Sequence, residues 1–298
     1  MIDPAGSTRE QRDVEYANPG PWVNPEKTEE EPWKSHEGIV KFFEFPVPTA
    51  GMSPRAFHLY WQKHHSPTAM YTTPFSQFMR KYNSSHKYPH DPLKLPDRYR
   101  QDTLFEGAAE VWLNRISEIG DWLGNPLYPE LIQPDEPRFI DQNGTAEIII
   151  AKEERLYEPE LDMVENLLTK IYLLFTRPQS SNYDDWHTAA SKHGKLILSQ
   201  PSLKRHLRKL VVSHKLREPL PFDNMVMSPI DAVFELWFDD INVGRTFFND
   251  LALNEETIAS ETTLAGDQNI RGLVAKMRVV HDEFSFQPST TQPMAFSW

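Results

Sequence analysis

Hydrophobic and polar positions follow the same order twice along residues 37–286. In the first half, short apolar runs predict strands, and amphipathic stretches predict helices. The strands are expected at 39–45, 78–83, 108–113 and 146–152, and the helices at about 53–64 and 115–123. Ser53 followed by Pro54 marks the first helix start, because a hydroxyl caps a helix and proline suits its first position. The resulting order, β-α-β-β-α-β, is that of a ferredoxin-like unit.

The second half repeats this order. Its strands are expected at 168–175, 207–213, 232–238 and 273–280, and its helices at 183–198 and 243–249. In each half a proline-rich loop, 89–96 or 219–229, follows the second strand. The pattern therefore predicts an α+β fold built from two ferredoxin-like domains.

Matching residues indicate that the two halves are duplicates. Residues of one type recur at a nearly constant offset: Lys41 and Lys170, His58 and His187, His64 and His193, His86 and His214, Glu110 and Glu235. Such a period indicates duplicated domains and not a solenoid. We expect domains at 37–157 and 166–286, a flexible N-terminal leader at 1–36 and a C-terminal tail at 287–298. Trp22 and Trp33 in the leader argue that part of it docks, since exposed indoles gain little.

Composition narrows the range of partners. The formal charge of the 298 residues is −12, and the sequence has no run of lysine and arginine, so nucleic acid is not an expected partner. The absence of cysteine excludes disulfides, thiolate metal sites and cysteine nucleophiles. It also favours a cytoplasmic location, although a cysteine-free secreted protein remains an alternative. No apolar stretch is long enough to span a bilayer, and the polar start lacks a signal peptide's apolar core.

Three segments of the first half carry a family resemblance. Met52–Pro67 holds an aromatic residue, a Tyr-Trp pair and a histidine shortly before proline; Phe105–Trp112 and Asp135–Asp141 follow in order. Together they resemble the EthD-type family over nearly all of residues 37–155. The resemblance implies a dimeric α+β barrel, in which the antiparallel sheets of two domains pack together. Two fused copies would form that barrel within one chain, as a monomeric pseudo-dimer or as part of a homodimer.

The resemblance also implies small-molecule chemistry without a cofactor, on polyketide-like or aromatic substrates. The second half departs from the family pattern. Ala190 stands where the first half has Trp61, Gly194 replaces His65, and Leu210 replaces Tyr82. The first half is therefore the better candidate for chemistry, although Ala190 would also enlarge a pocket.

His64 is the first candidate catalytic residue. Phe57, Trp61 and His64 are spaced i, i+4 and i+7, so a regular helix places them on one face, toward the sheet. Trp186 and His193 repeat this spacing. Histidine suits acid–base catalysis near neutral pH. The alternative is a core histidine that binds a backbone carbonyl, and for His193 this alternative leads.

Tyr82 and His86 are candidate partners of His64. They are four residues apart, so they share a face if the second strand continues to His86. A Tyr-His pair facing His64 would transfer protons, whereas the alternative is a solvated strand end. His58 and His187 are expected at the surface or at an interface. His86, His90 and Asp91 are not expected to bind a metal, because the segment is broken by proline and a further ligand is missing.

Glu110 and Glu235 alternate with Trp112 and Trp237 on one face of the third strand of each half. A buried carboxylate must be paired or protonated. Each glutamate is therefore either a general acid and polar anchor in a pocket, or a structural carboxylate paired across the barrel seam with Lys41 or Lys170. Recurrence in both halves favours the structural interpretation.

The sequence thus predicts a cofactor-independent lyase or cyclase that dehydrates, decarboxylates or cyclises an apolar polyketide-like or aromatic metabolite. The catalytic candidates are His64, His86, Tyr82 and Glu110. The substrate-binding candidates are Trp61, Phe57, Tyr60, Trp112, His193, Trp186 and Glu235. A cofactor-free monooxygenase and a non-catalytic binding protein are the alternatives. Phosphate-binding glycine loops and the Gly-x-Ser-x-Gly and His-Glu-x-x-His motifs are absent from the sequence.

Overall fold

The computed structural model describes residues 31–143, 146–159, 167–217, 227–266, 268 and 270–282. The strands in these ranges are β1 (Val40–Phe45), β2 (Lys81–Lys87), β3 (Tyr99–Gln101), β4 (Gly107–Leu113), β5 (Glu147–Tyr157), β6 (Thr169–Phe175), β7 (Lys209–Lys215), β8 (Ala232–Phe238) and β9 (Ile270–Asp282). The α-helices are α1 (Pro54–Tyr60), α2 (Ser66–Tyr71), α3 (Ser117–Leu123), α4 (Tyr183–Ser199), α5 (Pro201–Lys204), α6 (Ile241–Leu251) and α7 (Glu255–Ala265).

Eight of these strands close an antiparallel barrel. The order is β2-β4-β1-β5-β7-β8-β6-β9, and β9 pairs back onto β2. The short β3 adds to β9 in the parallel direction. The seams between the two halves are the β5–β7 and β2–β9 ladders. This arrangement confirms the predicted α+β fold of two ferredoxin-like units whose sheets form a barrel within one chain.

Most predicted elements lie where the hydrophobic pattern placed them, and β8 matches its predicted range. The second strand differs most. Phe78 lies in a 3-10 turn, and β2 runs from Lys81 to Lys87, so His86 lies within the strand and not after it. His214 likewise lies within β7. Helix α7 was not predicted, because its polar sequence EETIASETTLA has little helical periodicity; the Asn254 side chain caps its first turn.

Strand alternation separates two kinds of core. Lys41, Phe43 and Phe45 of β1 point into the barrel, where both phenylalanines join an apolar layer with Tyr172. Phe42 points outward and packs edge-to-face on Trp122 of α3, with ring centroids 5.4 Å apart. Each half therefore has its own core between sheet and helices, outside a shared barrel interior.

Part of the leader docks, as its tryptophans suggested. Trp33 is 3% exposed. The segment Pro32–Lys34 contacts helix α4 and the β5–β7 seam. Trp22, the C-terminal tail at 287–298 and most of the loop at 219–229 lie outside the described residues. None of the described helices is long and apolar enough to cross a membrane.

Candidate functional site

The first helix of the first half changes its winding in the middle. Residues Trp61–His65 form a π-helical segment between α1 and α2. A π turn holds an extra residue, so side chains after it are rotated relative to an α-helix. Phe57 and Trp61 are buried as predicted, but His64 is exposed and His65 turns inward instead. The predicted inward position of His64 is therefore wrong, because the regular period does not hold across this segment.

His65 faces a cavity of about 270 Å³ between the outer face of the first half-sheet and the helical layer. The apolar wall includes Phe42, Phe75, Val111, Trp122 and Ile132. The polar lining is His65, Glu44, Tyr82, Tyr128, Glu136, Asp141 and Gln142. A mostly apolar pocket with a few converging polar groups is the usual form of a small-molecule site.

Asp135 orients the imidazole of His65. The Oδ2 atom of Asp135 lies 3.1 Å from Nδ1 of His65, and its Oδ1 atom accepts a hydrogen bond from the Tyr60 hydroxyl. The hydrogen bond to His65, followed by that of Tyr60, holds the pKa of Asp135 below its ordinary value despite partial burial. An ionised Asp135 binds a protonated Nδ1, which leaves Nε2 of His65 as the basic nitrogen. The ring also packs on Phe139, 4.7 Å between centroids.

Glu44 supplies an acid to the same cavity. It points outward from β1, beside the apolar Phe42, and the described residues offer its carboxyl no hydrogen bond or ion pair. Burial, together with the nearby carboxylate of Glu136, raises the pKa of Glu44 to about 8. Burial also raises the pKa of Glu136, although the Tyr128 hydroxyl donates to its Oε1 at 2.9 Å. Glu44 is thus a neutral carboxylic acid at neutral pH.

Tyr82 and His86 share the outer face of β2, as predicted, but they have different partners. The hydroxyl of Tyr82 accepts a hydrogen bond from Trp61 Nε1 at 3.0 Å and lies 3.1 Å from Ser66 Oγ. Burial raises the pKa of this hydroxyl, and Tyr82 lines the cavity. His86 instead pairs with His58, so the predicted Tyr-His pair facing His64 does not form.

The histidines form one Nδ1-to-Nδ1 pair in each half. His58 and His86 are 3.0 Å apart, and so are His187 and His214. Burial lowers the pKa of His86 to about 3, with His58 contributing. The surface or interface position expected for His187 is wrong, since it is fully buried against His214 and Trp33.

Glu110 and Glu235 lie inside the barrel, away from the cavity. Lys170 Nζ donates to both oxygens of Glu110, at 2.8 and 2.7 Å, and Lys41 Nζ donates to both oxygens of Glu235, at 2.9 and 2.7 Å. Each lysine also contacts the other glutamate at 2.6 Å. The four side chains are at most 1% exposed, and Trp112 and Trp237 lie over the ammonium groups. These distances match the structural interpretation, with the pairing crossing between the halves.

The four side chains differ in their electrostatics, since burial lowers the pKa of Lys170 and raises that of Glu235, whereas Lys41 and Glu110 shift toward their charged forms. Burial alone would lower the pKa of Lys41, but Glu110, Glu235 and Glu153 outweigh it and hold the pKa well above its ordinary value. Burial likewise opposes ionisation of Glu110, and Lys170 and Lys41 lower its pKa nonetheless. A general acid needs an available proton, which the carboxylate of Glu110 lacks.

The second half has no equivalent of this site at the matching positions. Leu173 stands where the first half has Glu44, and Leu210 stands where it has Tyr82. Gly194 stands at the position of His65, and a Cβ atom there would lie 2.3 Å from Leu156 Cδ1. Helix α4 is regular, so Trp186, Ala190 and His193 share a buried face. Trp186 Nε1 donates to Leu264 O at 2.9 Å, and His193 Nδ1 lies 3.0 Å from Ser260 Oγ.

Sequence reasoning missed Glu44, His65, Asp135 and Glu136 as candidates. One signal was present for Glu44, which is the charged residue among the outward positions of an otherwise apolar strand. His65 and Asp135 lay within the segments that carried the family resemblance, but helical periodicity drew attention to the neighbouring His64.

Comparison with known proteins supports the fold and the family of the first half. Residues 49–143 match the family model of the EthD domain. Among curated proteins, none matches the chain by sequence. The crystal structure of an anthrone oxidase-like protein is similar at 9% identity and a TM-score of 0.55, covering 83% of this chain and 95% of that chain. 

A proposed monooxygenase from Fusobacterium nucleatum subsp. nucleatum is 8% identical with a TM-score of 0.46, covering 82% of this chain and 93% of that one. The likeness to the anthrone oxidase-like structure concerns the fold alone. Residues 49–143 are therefore similar to an EthD domain, and they lie within an α+β barrel that the two halves close in one polypeptide.

Proposed function

We propose that the chain is an enzyme that uses the cavity of its first half for acid–base elimination or cyclisation of a small aromatic or polyketide-like molecule. The observation that carries the proposal is the neutral Glu44 carboxyl, which shares one cavity with the Asp135-oriented His65. A neutral carboxylic acid and an oriented imidazole in one cavity are the two partners that an elimination needs.

A dehydration illustrates the division of labour. Nε2 of His65 takes a proton from a carbon beside a carbonyl, and a carbon–carbon double bond forms. Glu44 gives its proton to the hydroxyl on the adjacent carbon, whose carbon–oxygen bond breaks to release water. The imidazolium of His65 then returns its proton to the Glu44 carboxylate directly or through water, which restores both groups. Asp135 acts as a positioning residue through its contact with His65, and Tyr60 in turn holds Asp135 through its hydroxyl.

A cofactor-free oxygenase is the alternative activity, and it would use the same base. His65 would generate a substrate carbanion that reacts with dioxygen, and the name of the anthrone oxidase-like structural neighbour is compatible with that chemistry. A non-catalytic binding protein would use the cavity without turnover. We prefer the elimination mechanism, because a cofactor-free oxygenase of this kind needs a base but no neutral acid beside it.

The β-hydroxy ketone 3-hydroxy-1-tetralone is a suitable test substrate. Loss of water and tautomerisation convert it to 1-naphthol, which is followed by its fluorescence, while an oxygen electrode records dioxygen uptake. We expect 1-naphthol release without oxygen uptake, reduced about 100-fold or more in Glu44→Gln and in His65→Gln. The Asp121→Asn variant, which removes an exposed carboxylate from α3, is the control and should keep full activity. Oxygen uptake, or unchanged turnover in both Glu44→Gln and His65→Gln, would overturn the proposal.

A further inference from the structure

We infer that the cavity selects uncharged substrates and rejects carboxylates, so that it suits dehydration or cyclisation of a neutral, compact aromatic precursor and not decarboxylation of a free acid. This inference concerns the same site and rests on the proposed function. Of the three reactions that the sequence left open, it retains dehydration and cyclisation and excludes decarboxylation.

Acidic side chains predominate among the ionisable groups that line the cavity. Three carboxyl side chains line it from different segments: Glu44 from β1, Glu136 from the 3-10 turn Glu136–Arg138, and Asp141 shortly after that turn. Asp135 lies behind His65. None of the described lining residues is lysine or arginine. The remaining titratable groups of the lining are His65, Tyr82 and Tyr128.

Two arginines act on this region without lining the cavity. Arg138 acts to lower the pKa values of Tyr60 and Asp135. Arg278 acts to lower the pKa of Tyr82 and donates to the backbone oxygen of Gln62 at 3.2 Å. Neither presents the paired donors to the cavity that a protein normally uses to bind a carboxylate. A substrate carboxylate would therefore be buried among the carboxyl groups of Glu44, Glu136 and Asp141, with no lining Lys or Arg to compensate its charge.

Neutral oxygen groups suit the lining much better. Protonated Glu44 offers a donor, the Glu136 carboxyl offers an acceptor oxygen, and Gln142 offers an amide that has both. The aromatic wall suits a flat ring. Phe75 stacks between Trp122 and Tyr128, with centroid distances of 5.3 and 5.9 Å.

The size of the cavity limits the substrate to a compact one. A volume of about 270 Å³ lies just below the range of roughly 300–1,000 Å³ for small-molecule sites. We therefore infer a fused-ring phenol or hydroxy ketone of few rings, with hydroxyl or carbonyl groups and no free acid.

The probes are 1-naphthol and 1-naphthoate, which share one ring system and differ in charge at pH 7. Binding is measured by isothermal titration calorimetry on the full chain, with Trp122 fluorescence as a second readout. Selectivity is the ratio of the naphthoate Kd to the naphthol Kd. We expect naphthol to bind at least about tenfold more tightly, since one repelled charge costs more than ~1.4 kcal/mol at this burial.

The variant Glu136→Gln removes an ionisable carboxyl but keeps the shape and one acceptor oxygen, so it should improve naphthoate binding more than naphthol binding and lower the selectivity ratio. Asp121→Asn removes an exposed carboxylate from α3 and should change neither Kd. Equal affinities in the wild-type protein, tighter naphthoate binding, or no binding of naphthol would each overturn the inference. Because these are binding constants, selectivity for naphthol without any turnover would leave this inference intact while the proposed function failed.

Discussion

The Oδ2 atom of Asp135 lies 3.1 Å from Nδ1 of His65, and the ring so held faces the cavity of the first half. The carboxylate comes from the segment before the 3-10 turn at 136–138, and the imidazole comes from the π-helical segment Trp61–His65. Two irregular parts of the chain thus meet to orient one base. The neighbouring His64 is exposed and lacks this support.

The first prediction separates the two adjacent histidines. His65→Gln should lower kcat about 100-fold or more, because the cavity loses its base, whereas His64→Ala should change kcat less than twofold. Steady-state kinetics with 3-hydroxy-1-tetralone measure both. The opposite pattern, with loss in His64→Ala alone, would return the catalytic role to the residue that helical periodicity favoured.

The second prediction concerns Asp135 as a positioning residue. Asp135→Asn keeps the shape but weakens the preference for a proton on Nδ1, so kcat should fall while KM for 3-hydroxy-1-tetralone changes little. ¹⁵N NMR of the imidazole in labelled protein should show more of the Nε2–H tautomer in this variant. An unchanged tautomer with a lowered melting temperature would indicate a purely structural role.

The third prediction assigns the buried tetrad to stability. Lys41→Met strands carboxylates of Glu235 and Glu110 inside the barrel, and should cost about 3–5 kcal/mol of unfolding free energy. Urea unfolding measures this loss. Glu110→Gln should likewise destabilise the fold, and any variant protein that remains folded should bind 1-naphthol with wild-type affinity. Loss of turnover in Glu110→Gln at full stability would instead support the general-acid role.

The fourth prediction concerns acid pH. Burial lowers the pKa of His86 to about 3, so between about pH 6.5 and 3 the unfolded chain binds a proton that the folded chain does not. The contribution of His86 is therefore complete above about pH 6.5 and decreases as the pH falls. Wild-type protein should lose about 2 kcal/mol more than His86→Gln between pH 7 and pH 5. Urea unfolding at both pH values measures these losses. An equal loss in the wild-type protein and in His86→Gln would contradict the buried His58–His86 pair.

Regular periodicity predicted the fold well and the site poorly. Period-two alternation put Glu110 and Glu235 on one face of their strands, and Lys41 and Lys170 were candidate partners for them. The site depends on features that have no period: the π turn that replaces His64 by His65, and the tertiary contact between Asp135 and His65. The second half shows the same limit. In the sequence, Gly194 at the position of His65 indicates only that a histidine is missing. The structure shows in addition that a Cβ atom at Gly194 would collide with Leu156.

Protonation of Glu44 is the feature on which the acid–base account depends most directly. The carboxyl carbon of Glu44 can be followed by ¹³C NMR in glutamate-labelled protein, with Glu44→Gln identifying the signal. The account predicts a neutral acid at pH 7 that titrates near pH 8, and a rate with 3-hydroxy-1-tetralone that falls as the pH rises through that value. A carboxyl signal that titrates below about pH 5, as an ordinary solvated glutamate does, would contradict it.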